Sequence, residues 1–409
     1  MVETHAEADS TQDPNLGSVK LSLALYRLVV VQGLMNGSHF MAMPLLAVYC
    51  VHVLSLNESQ VGVVLAVYFL AARVTPVVTA PLADRYGLWP ALVLGLIMRG
   101  LGFVVVFLFT DFWLVIAASI ILGLGTSIYE AGAYGIIGAQ PDRTRERLIV
   151  VNVQALNVGV VIGPLVGAML AAINVSIPFI ISGLLFLALG SLALFERSPE
   201  LRSFNPQKVI DSYSTVLSDW PFLLLCIALV PWWALFAQLF AAFPIMAAEL
   251  GGSAGWSGTV LVVNGAVGFL VLFAGNWLLK NFSPTTIIMV AAICGGVVTG
   301  LTGFSSSVIY LLIIVALFTC AEIPILVAAE VLVTRHAKGR SAATFFALFN
   351  VSWGVGSAIG GAVGPGITAN ESAPLLFAAL GSTSIVLIAG LLWYKNIAPK
   401  GITNRPEVP

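Results

Sequence analysis

Long apolar segments recur along the chain, and short polar connections separate them. A helix needs about 20 apolar residues to cross the hydrocarbon core of a bilayer, and twelve segments reach that length. They comprise residues 24–50, 59–82, 90–110, 113–138, 149–172, 177–196, 221–248, 256–279, 285–304, 307–334, 341–368 and 373–394. The pattern predicts an all-α polytopic membrane protein with twelve transmembrane helices, which we call spans 1 to 12 in chain order.

The composition excludes a soluble fold. Of the 409 residues, 59% are hydrophobic and only 9% are charged, and a soluble domain of this size could not bury so much apolar surface. The cysteines are scattered among the apolar spans, which indicates packing rather than a disulfide framework. They are Cys50, Cys226, Cys294 and Cys320. We therefore expect neither a disulfide nor a metal site.

The basic residues fall on one side of the predicted membrane. When the N-terminus is placed inside, sixteen of the 18 Lys and Arg residues lie at the inner side, and none lies in an outer loop. The other two, Arg73 and Arg99, lie within spans. Because cytoplasmic loops carry the excess of Lys and Arg, both termini should be cytoplasmic. We expect a multi-pass protein of a bacterial cytoplasmic membrane.

An internal duplication divides the chain into two halves. Four residues at the start of span 5 and within it recur 193 positions later; the pairs are Arg147 and Arg340, Asn157 and Asn350, Gly163 and Gly356, and Gly167 and Gly360. The longest polar segment inside the chain falls between the halves. The predicted organisation is a cytoplasmic tail (1–20), a six-helix bundle (21–196), a cytoplasmic linker (197–220), a second, pseudo-twofold related bundle (221–395) and a cytoplasmic tail (396–409).

The loop between spans 2 and 3 carries a family signature. It is similar to the pattern G-x-x-x-D-R-x-G-R-R, and the matching residues are Asp84, Arg85 and Gly87. Residues that depart from the pattern are Ala80, Leu88 and Trp89. With the two six-helix halves, this loop resembles the major facilitator superfamily across essentially the whole chain. The resemblance implies a substrate site near the bilayer midplane between the halves, and a loop that latches them together on the cytoplasmic side.

Span 5 carries a second motif, which is formed by Gly159, Gly163, Pro164 and Gly167. Glycines at this spacing share one helix face and let another helix approach closely, and the proline should bend the helix. The motif resembles the one that marks proton-coupled drug exporters in the superfamily, although Val150 and Ala168 replace two of its glycines. The resemblance implies export. A tightly packed, kinked helix without directional meaning is the alternative.

Span 4 departs from the exporter pattern. Exporters usually carry an arginine there, four residues before a glycine, which takes part in proton coupling. Here Ser119 occupies that position. If the chain is proton-coupled, other residues must carry the proton.

Ionisable residues deep in a span are costly and therefore candidates for function. At 1.5 Å per residue, Arg73, Arg99 and Glu130 lie roughly 14 to 15 Å from the inner end of their spans. Glu322 lies slightly deeper, and His39 lies nearer the outer half of span 1. Equal depth on neighbouring spans predicts an ion pair between Arg99 and Glu130, which could equally be structural.

The predicted proton-coupling residues are Glu130, Glu322 and His39. Glu130 lies eleven residues after Ser119 and should share its helix face, so it is the first choice. Glu322 lies one residue from the counterpart of Glu130; it could carry a proton, bind substrate or act as an internal partner of Arg73. His39 could relay protons or be a hydrogen-bonded helix residue.

The predicted substrate cavity combines buried charge with polar and aromatic side chains. Its candidate residues are Arg73, Arg99, Asn36, Trp232, Trp233, Phe236 and Gln238. Arg73 could instead pair structurally with an acid, Arg99 could point at span 4, and the aromatic residues of span 7 could be packing or lipid contacts. The predicted gating residues are those of the two motifs: Asp84, Arg85, Gly87, Gly159, Gly163, Pro164 and Gly167.

Together these features favour a proton-coupled exporter, or antiporter, of small amphipathic drugs or metabolites that works by alternating access. An importer or symporter of a small metabolite and a non-transporting membrane sensor are the alternatives. An enzyme is not expected, because HExxH and P-loop motifs are absent from the sequence. The expected partners are a small-molecule substrate, protons and lipid, with no nucleic acid. No cofactor beyond the proton gradient is expected, and the protein should be monomeric.

Overall fold

The computed structural model describes residues 21–196, 198, 201, 214, 216–338, 340, 342–399 and 402. These residues are almost entirely α-helical, and none of them forms a strand. Eleven helical segments are long and apolar enough to cross a membrane, and a bent helix pair makes a twelfth span. The predicted all-α transmembrane fold is confirmed. The predicted N-terminal tail lies outside the described residues, as do most of the predicted linker and most of the predicted C-terminal tail.

Spans 1 to 6 form the first half of the molecule. Span 1 runs from Leu23–Ala42 through the 3₁₀ turn Met43–Leu45 into Leu46–His52, and span 2 comprises Glu58–Arg73 and Pro76–Tyr86, bent by 44°. Spans 3 to 6 are Leu88–Leu108, Phe112–Gly138, Asp142–Ile173 and Ile177–Leu194. Span 5 begins seven residues before the predicted position 149. Its polar first turns contain Arg and Glu, which are good helix formers even where no lipid covers them.

Spans 7 to 12 form the second half. Span 7 runs from Trp220–Phe236 through the 3₁₀ turn Ala237–Leu239 into Ala242–Gly251. Spans 8 to 11 are Gly255–Asn281, Pro284–Thr302, Val308–Ala337 and Ala342–Thr368, and span 12 comprises Ala373–Ser382 and Ser384–Ile397. The 3₁₀ turns of spans 1 and 7 fall at equivalent places in the two halves. We call the side that carries the loops between spans 2 and 3, 4 and 5, 8 and 9, and 10 and 11 the inner side.

The glycines of the duplicated motif pack in the same way in both halves. A methyl group at any of them would overlap a carbonyl oxygen of a neighbouring span, so only glycine allows the approach. The contacts are Gly163 with Gly37 and Gly167 with Met41 in the first half, and Gly356 with Val230 and Gly360 with Ala234 in the second. All four partners obey the 193-residue offset. The duplication seen in the sequence is therefore a duplication of helix packing, span 5 on span 1 and span 11 on span 7.

Buried apolar residues form two clusters, one mainly from spans 1 to 6 and one from spans 7 to 12. The halves meet along two seams, span 2 with span 11 and span 5 with span 8. Glycine again permits close approach, since a methyl at Gly62 would overlap the carbonyl of Ala362. In the other seam, a methyl at Gly258 would lie 2.7 Å from the Ala168 methyl. Both contacts lie on the outer side, so the halves are joined there.

Candidate functional site

A central cavity of about 360 Å³ lies between the two halves. Its walls come from spans 1, 2, 5, 7, 8, 10 and 11, and most of them are apolar. The acidic and basic side chains in the lining are His39, Arg73 and Glu322, and Asn157 and Asn264 add two amides. The cavity therefore lies at the place that the two-half organisation predicts, near the middle of the spans.

Aromatic rings close the cavity toward the outer side. Phe240 of span 7 contacts Phe40 of span 1 and Phe69 of span 2, with ring centres 6.5 and 6.1 Å apart. These contacts join the two halves just above the cavity. Toward the inner side, the lining residues Phe269 and Leu272 of span 8 are exposed. The aromatic contacts thus close the cavity toward the outer side, and the exposed part of its lining lies nearer the inner side.

Arg73 connects three spans at the cavity wall. Its Nη1 donates a hydrogen bond to Glu130 Oε2 at 3.3 Å, and the two side chains are 28% and 27% exposed. Its guanidinium also lies 4.7 Å from the ring centre of Trp353 on span 11. Arg73 therefore pairs with an acid of its own half and makes a cation–π contact with the other half. The alternative that Glu322 is the partner of Arg73 is wrong.

The predicted ion pair between Arg99 and Glu130 is wrong, and Arg99 does not line the cavity. Gly125 of span 4 packs against the backbone and Cγ of Arg99, which directs the guanidinium past span 4. There its Nη1 lies 2.9 Å from the sulfur of Met35, and its centre lies 4.4 Å from the ring of Phe186. Arg99 is only 2% exposed. It is a buried cation stabilised by aromatic faces inside the first half.

Glu322 lines the cavity from span 10. The residue is 6% exposed, and its Oε2 accepts a hydrogen bond from Asn264 Nδ2 at 2.5 Å. The same amide group of Asn264 donates to Thr319 Oγ1 at 2.9 Å, and this fixes its orientation. Sequence reasoning missed Asn264, although one amide in the apolar middle of span 8 was a signal that could have found it. The cavity thus contains a carboxylate that an amide, rather than a cation, accompanies.

His39 lines the cavity from span 1. Its Nε2 lies 3.4 Å from the hydroxyl of Tyr68 on span 2, and the two rings are stacked. Among the described residues its Nδ1 has no hydrogen-bond partner. His39 is therefore a hydrogen-bonded helix residue that also faces the cavity, so the two alternatives for it are compatible.

Of the four cavity candidates in span 7, only Phe236 lines the cavity. Trp232 and Trp233 are buried within the second half, where they stack on Phe318 and Trp353. Gln238 is buried and donates to the carbonyl oxygens of Ala234 and Gly360. The prediction that these three residues line the cavity was wrong. Their side chains pack against neighbouring spans instead. Trp233 nevertheless contacts the cavity residue Trp353, because the two rings stack with their centres 4.7 Å apart.

Two polar residues of the first half also point away from the cavity. Asn36 donates a hydrogen bond to the carbonyl of Leu156 at 2.7 Å and ties span 1 to span 5, so its placement in the cavity was wrong. Ser119 is fully buried and donates to the carbonyl of Val115. Ser119 was expected to share a helix face with Glu130 on span 4. At the position of Ser119, that face does not line the cavity.

The predicted gating residues lie at the inner side and along span 5. Gly87 ends span 2 with a φ of 113°, a conformation that favours glycine. Within the described parts of the chain, Asp84 has no ion-pair partner. Pro164 lies within the continuous helix of span 5, whose glycines pack on span 1. The packing is observed, and the gating role of all these residues stays a prediction.

A membrane-embedded bundle of two joined halves with a central cavity closed toward one side defines a transporter. Residues 28–361 match the sequence profile of the Major Facilitator Superfamily. The chain belongs to this superfamily, and it is a transporter rather than an enzyme.

The relatives agree with this membership. The chain is 24% identical over 344 residues to the Multidrug resistance protein MdtH of Aeromonas salmonicida, a match that covers 84% of each chain. It is 24% identical to the Uncharacterized MFS-type transporter YqjV of Bacillus subtilis, over 79% of this chain and 81% of the relative.

Solved structures share the fold at low sequence identity. A POT family transporter in complex with 5-aminolevulinic acid superposes with a TM-score of 0.76 at 15% identity, over 92% of this chain and 97% of the other. The nucleoside transporter NupG superposes with a TM-score of 0.71 at 12% identity, over 92% of this chain and all of the other. These likenesses describe the fold and carry no information about the substrate.

Proposed function

We propose that this transporter is a proton-coupled exporter of small amphipathic compounds that carry an aromatic body and a basic group. The observation that carries the proposal is the cavity itself, which combines aromatic walls with the carboxylate of Glu322. Among the described residues, only Asn264 donates a hydrogen bond to that carboxylate. A proton or a cationic substrate can therefore supply the missing positive charge.

The charge balance of the cavity supports a basic substrate. Arg73 is paired with Glu130, so this pair adds little net charge to the cavity. Glu322 then sets the electrostatic preference of the site. A buried charge needs a partner, and an organic cation stacked against Phe236, Phe240 or Trp353 would provide one while it buries its apolar body.

Exchange at Glu322 gives a simple antiport cycle. In the inward-open state, substrate from the cytoplasm binds Glu322 in place of a proton. The halves then rock, the outer side opens, and a proton that binds the same carboxylate releases the substrate. Because one carboxylate cannot hold both ligands, movement of the substrate outward requires movement of a proton inward.

The direction of transport is inferred from a sequence motif and from the names of relatives. The Gly-Pro motif of span 5 resembles that of exporters, and several relatives carry the name multidrug resistance protein. Ser119 in place of the usual arginine favours the second candidate, an importer or symporter. Under this second candidate, proton and substrate would move in the same direction.

Everted membrane vesicles test both candidates. With an acidic lumen and the membrane potential clamped, vesicles that contain the protein should accumulate the aromatic cation rhodamine 6G, and a protonophore should abolish the accumulation. Glu322→Gln should not accumulate the dye. Accumulation only under the opposite pH gradient would indicate symport. A panel of aromatic amines tests the sensor alternative. If these compounds bound to the protein and none crossed the membrane, the protein would be a sensor.

A further inference from the structure

A second cavity of about 600 Å³ lies on the inner side of the first half. It is a groove on the surface of spans 3 and 6, and it is remote from the central cavity. Arg85 and Tyr86, at the end of span 2, form its mouth. Its walls are apolar and include Val93, Leu94 and Ile97 of span 3 and Leu194 of span 6. We call it the span 3/6 groove.

The length of the groove matches one leaflet of a bilayer. Span 3 begins at Leu88, and Ile97 at the far end of the groove lies nine residues further along the helix. At 1.5 Å per residue this is about 14 Å, close to half of the roughly 30 Å hydrocarbon thickness. Leu94 and Leu194 are both exposed. The walls thus present apolar surface from the interface to about the midplane, as an acyl chain requires.

The mouth of the groove carries an exposed positive charge. Within the described parts of the chain, Arg85 has no carboxylate partner, and its guanidinium lies 5.6 Å from the ring centre of Tyr86. Tyr86 is 70% exposed, and tyrosine favours the level of the lipid headgroups. A guanidinium matches the geometry of a phosphate group. Charge and apolar wall are therefore arranged in the order of a phospholipid, phosphate first and chain after.

We propose that the span 3/6 groove binds one anionic phospholipid of the inner leaflet. Its phosphate contacts Arg85, and one acyl chain lies along Val93, Leu94 and Ile97. Trp89 holds the two walls together, because its Nε1 donates to the carbonyl of Ala193 on span 6 at 3.1 Å. Gly87 belongs to the groove lining, so the bound lipid touches the loop between spans 2 and 3. The lipid composition of the membrane then acts directly on this loop.

Lipid binding to the purified full-length protein tests the proposal. Native mass spectrometry in detergent would measure the affinity of the first bound lipid, with phosphatidylglycerol and phosphatidylcholine of identical chains as probes. Phosphatidylglycerol should bind more tightly. Arg85→Gln should weaken it about fivefold, the effect of one basic residue near a membrane surface, and Arg85→Lys should retain most of the affinity.

Matched controls separate the groove from general charge and general bulk. Lys395→Gln removes one positive charge near the inner end of span 12, and it should change the affinity less than twofold. Leu94→Trp fills the groove and should abolish the preference for phosphatidylglycerol. Leu101→Trp places the same ring at an exposed position of span 3 outside the groove, and it should have no effect.

Three results would overturn the proposal. Equal affinity for the two lipids would show that the groove does not recognise an anionic headgroup. An unchanged affinity in both Arg85→Gln and Leu94→Trp would place the lipid elsewhere. Glycerol phosphate that competes as strongly as the intact lipid would show a free phosphate site without a role for the apolar walls.

Discussion

The two halves of the molecule share one scaffold and differ in their chemistry. Spans 5 and 11 pack on spans 1 and 7 through glycines that are related by the same offset. Each half also carries a carboxylate at an approximately equivalent depth, Glu130 on span 4 and Glu322 on span 10. Glu130 is ion-paired with Arg73, whereas Glu322 accepts a hydrogen bond from a neutral amide. The two halves thus share their helix packing but differ in charge. Glu130 is neutralised by Arg73, whereas Glu322 faces the cavity without a cation.

This difference predicts unequal effects of removing the two carboxylates. Glu322→Gln should lower proton-coupled transport at least about a hundredfold, because neither a proton nor a cation can then be exchanged at that position. Glu130→Gln should lower it about tenfold, since it changes the neighbourhood of Arg73 but not the exchanging group. Vesicle uptake under a pH gradient measures both. Glu330→Gln, a second acid on span 10, is the control, and equal losses in Glu130→Gln and Glu322→Gln would contradict the proposed division of roles.

The shared scaffold predicts equal costs in the two halves. Gly163→Val and Gly356→Val each place side-chain atoms where a carbonyl oxygen of the neighbouring span lies. Each should destabilise the protein by about 1 to 3 kcal/mol, the usual range for overpacking. The midpoint of thermal unfolding in detergent measures the cost. Gly366→Val is the matched control, because a methyl group there meets no other atom within 4 Å. A variant pair in which only one half loses stability would show that the packing is not equivalent.

Periodicity and spacing predicted the parts of the molecule that depend on position along a helix. The spans, the duplication and the depth of the charged residues all follow from counting residues. The rotation of each helix about its axis does not follow, and Arg73 and Arg99 show the consequence. Both lie at the depth of Glu130, yet only Arg73 reaches it, because span 4 presents Gly125 to the backbone of Arg99.

The rotation of span 7 about its axis and its 3₁₀ turn also explain why its residues were wrongly predicted to line the cavity. Trp232 and Trp233 are adjacent in sequence and point to different neighbours, Phe318 on one side and Trp353 on the other. Neither faces the cavity, which begins at Phe236, next to the 3₁₀ turn. A sequence shows which residues are bulky and polar, but their direction depends on how neighbouring spans pack.

The ion pair of the first half can be tested by a double-mutant cycle. Arg73→Gln or Glu130→Gln alone leaves one charge without its partner, and each should destabilise the protein by about 1 kcal/mol, since both side chains are partly exposed. The double variant should lose less than the sum of the two, so the coupling free energy, which is the loss in the double variant minus the two single losses, should be negative. Chemical or thermal unfolding of the four proteins in one detergent gives this value. Additive losses would mean that the contact does not stabilise the fold.

The smallest expected difference between the two halves concerns Asp219, at the inner side of the second half. Asp219 precedes span 7, and its Oδ2 accepts a hydrogen bond from Arg340 Nη2 at 2.6 Å and lies 3.2 Å from His336 Nδ1. Burial acts to raise the pKa of Asp219, but the hydrogen bonds from Arg340 and from the backbone N–H of Phe222 outweigh it, so the pKa lies below its ordinary value of 3.8. Its ionised form therefore stabilises the fold above pH 3.8, and this stabilisation is lost as the pH falls through the lowered pKa.

Arg340→Gln removes the strongest of these stabilising contacts and leaves the burial. The pKa of Asp219 should then rise, and acid unfolding should begin about half a pH unit higher than in the parent protein. Thermal unfolding midpoints measured between pH 3 and pH 7 would show the shift. Arg147, the counterpart of Arg340 in the first half, is the matched control, and Arg147→Gln should leave the acid limb unchanged. If both variants moved it equally, the effect would come from net charge, and the halves would not differ at this position.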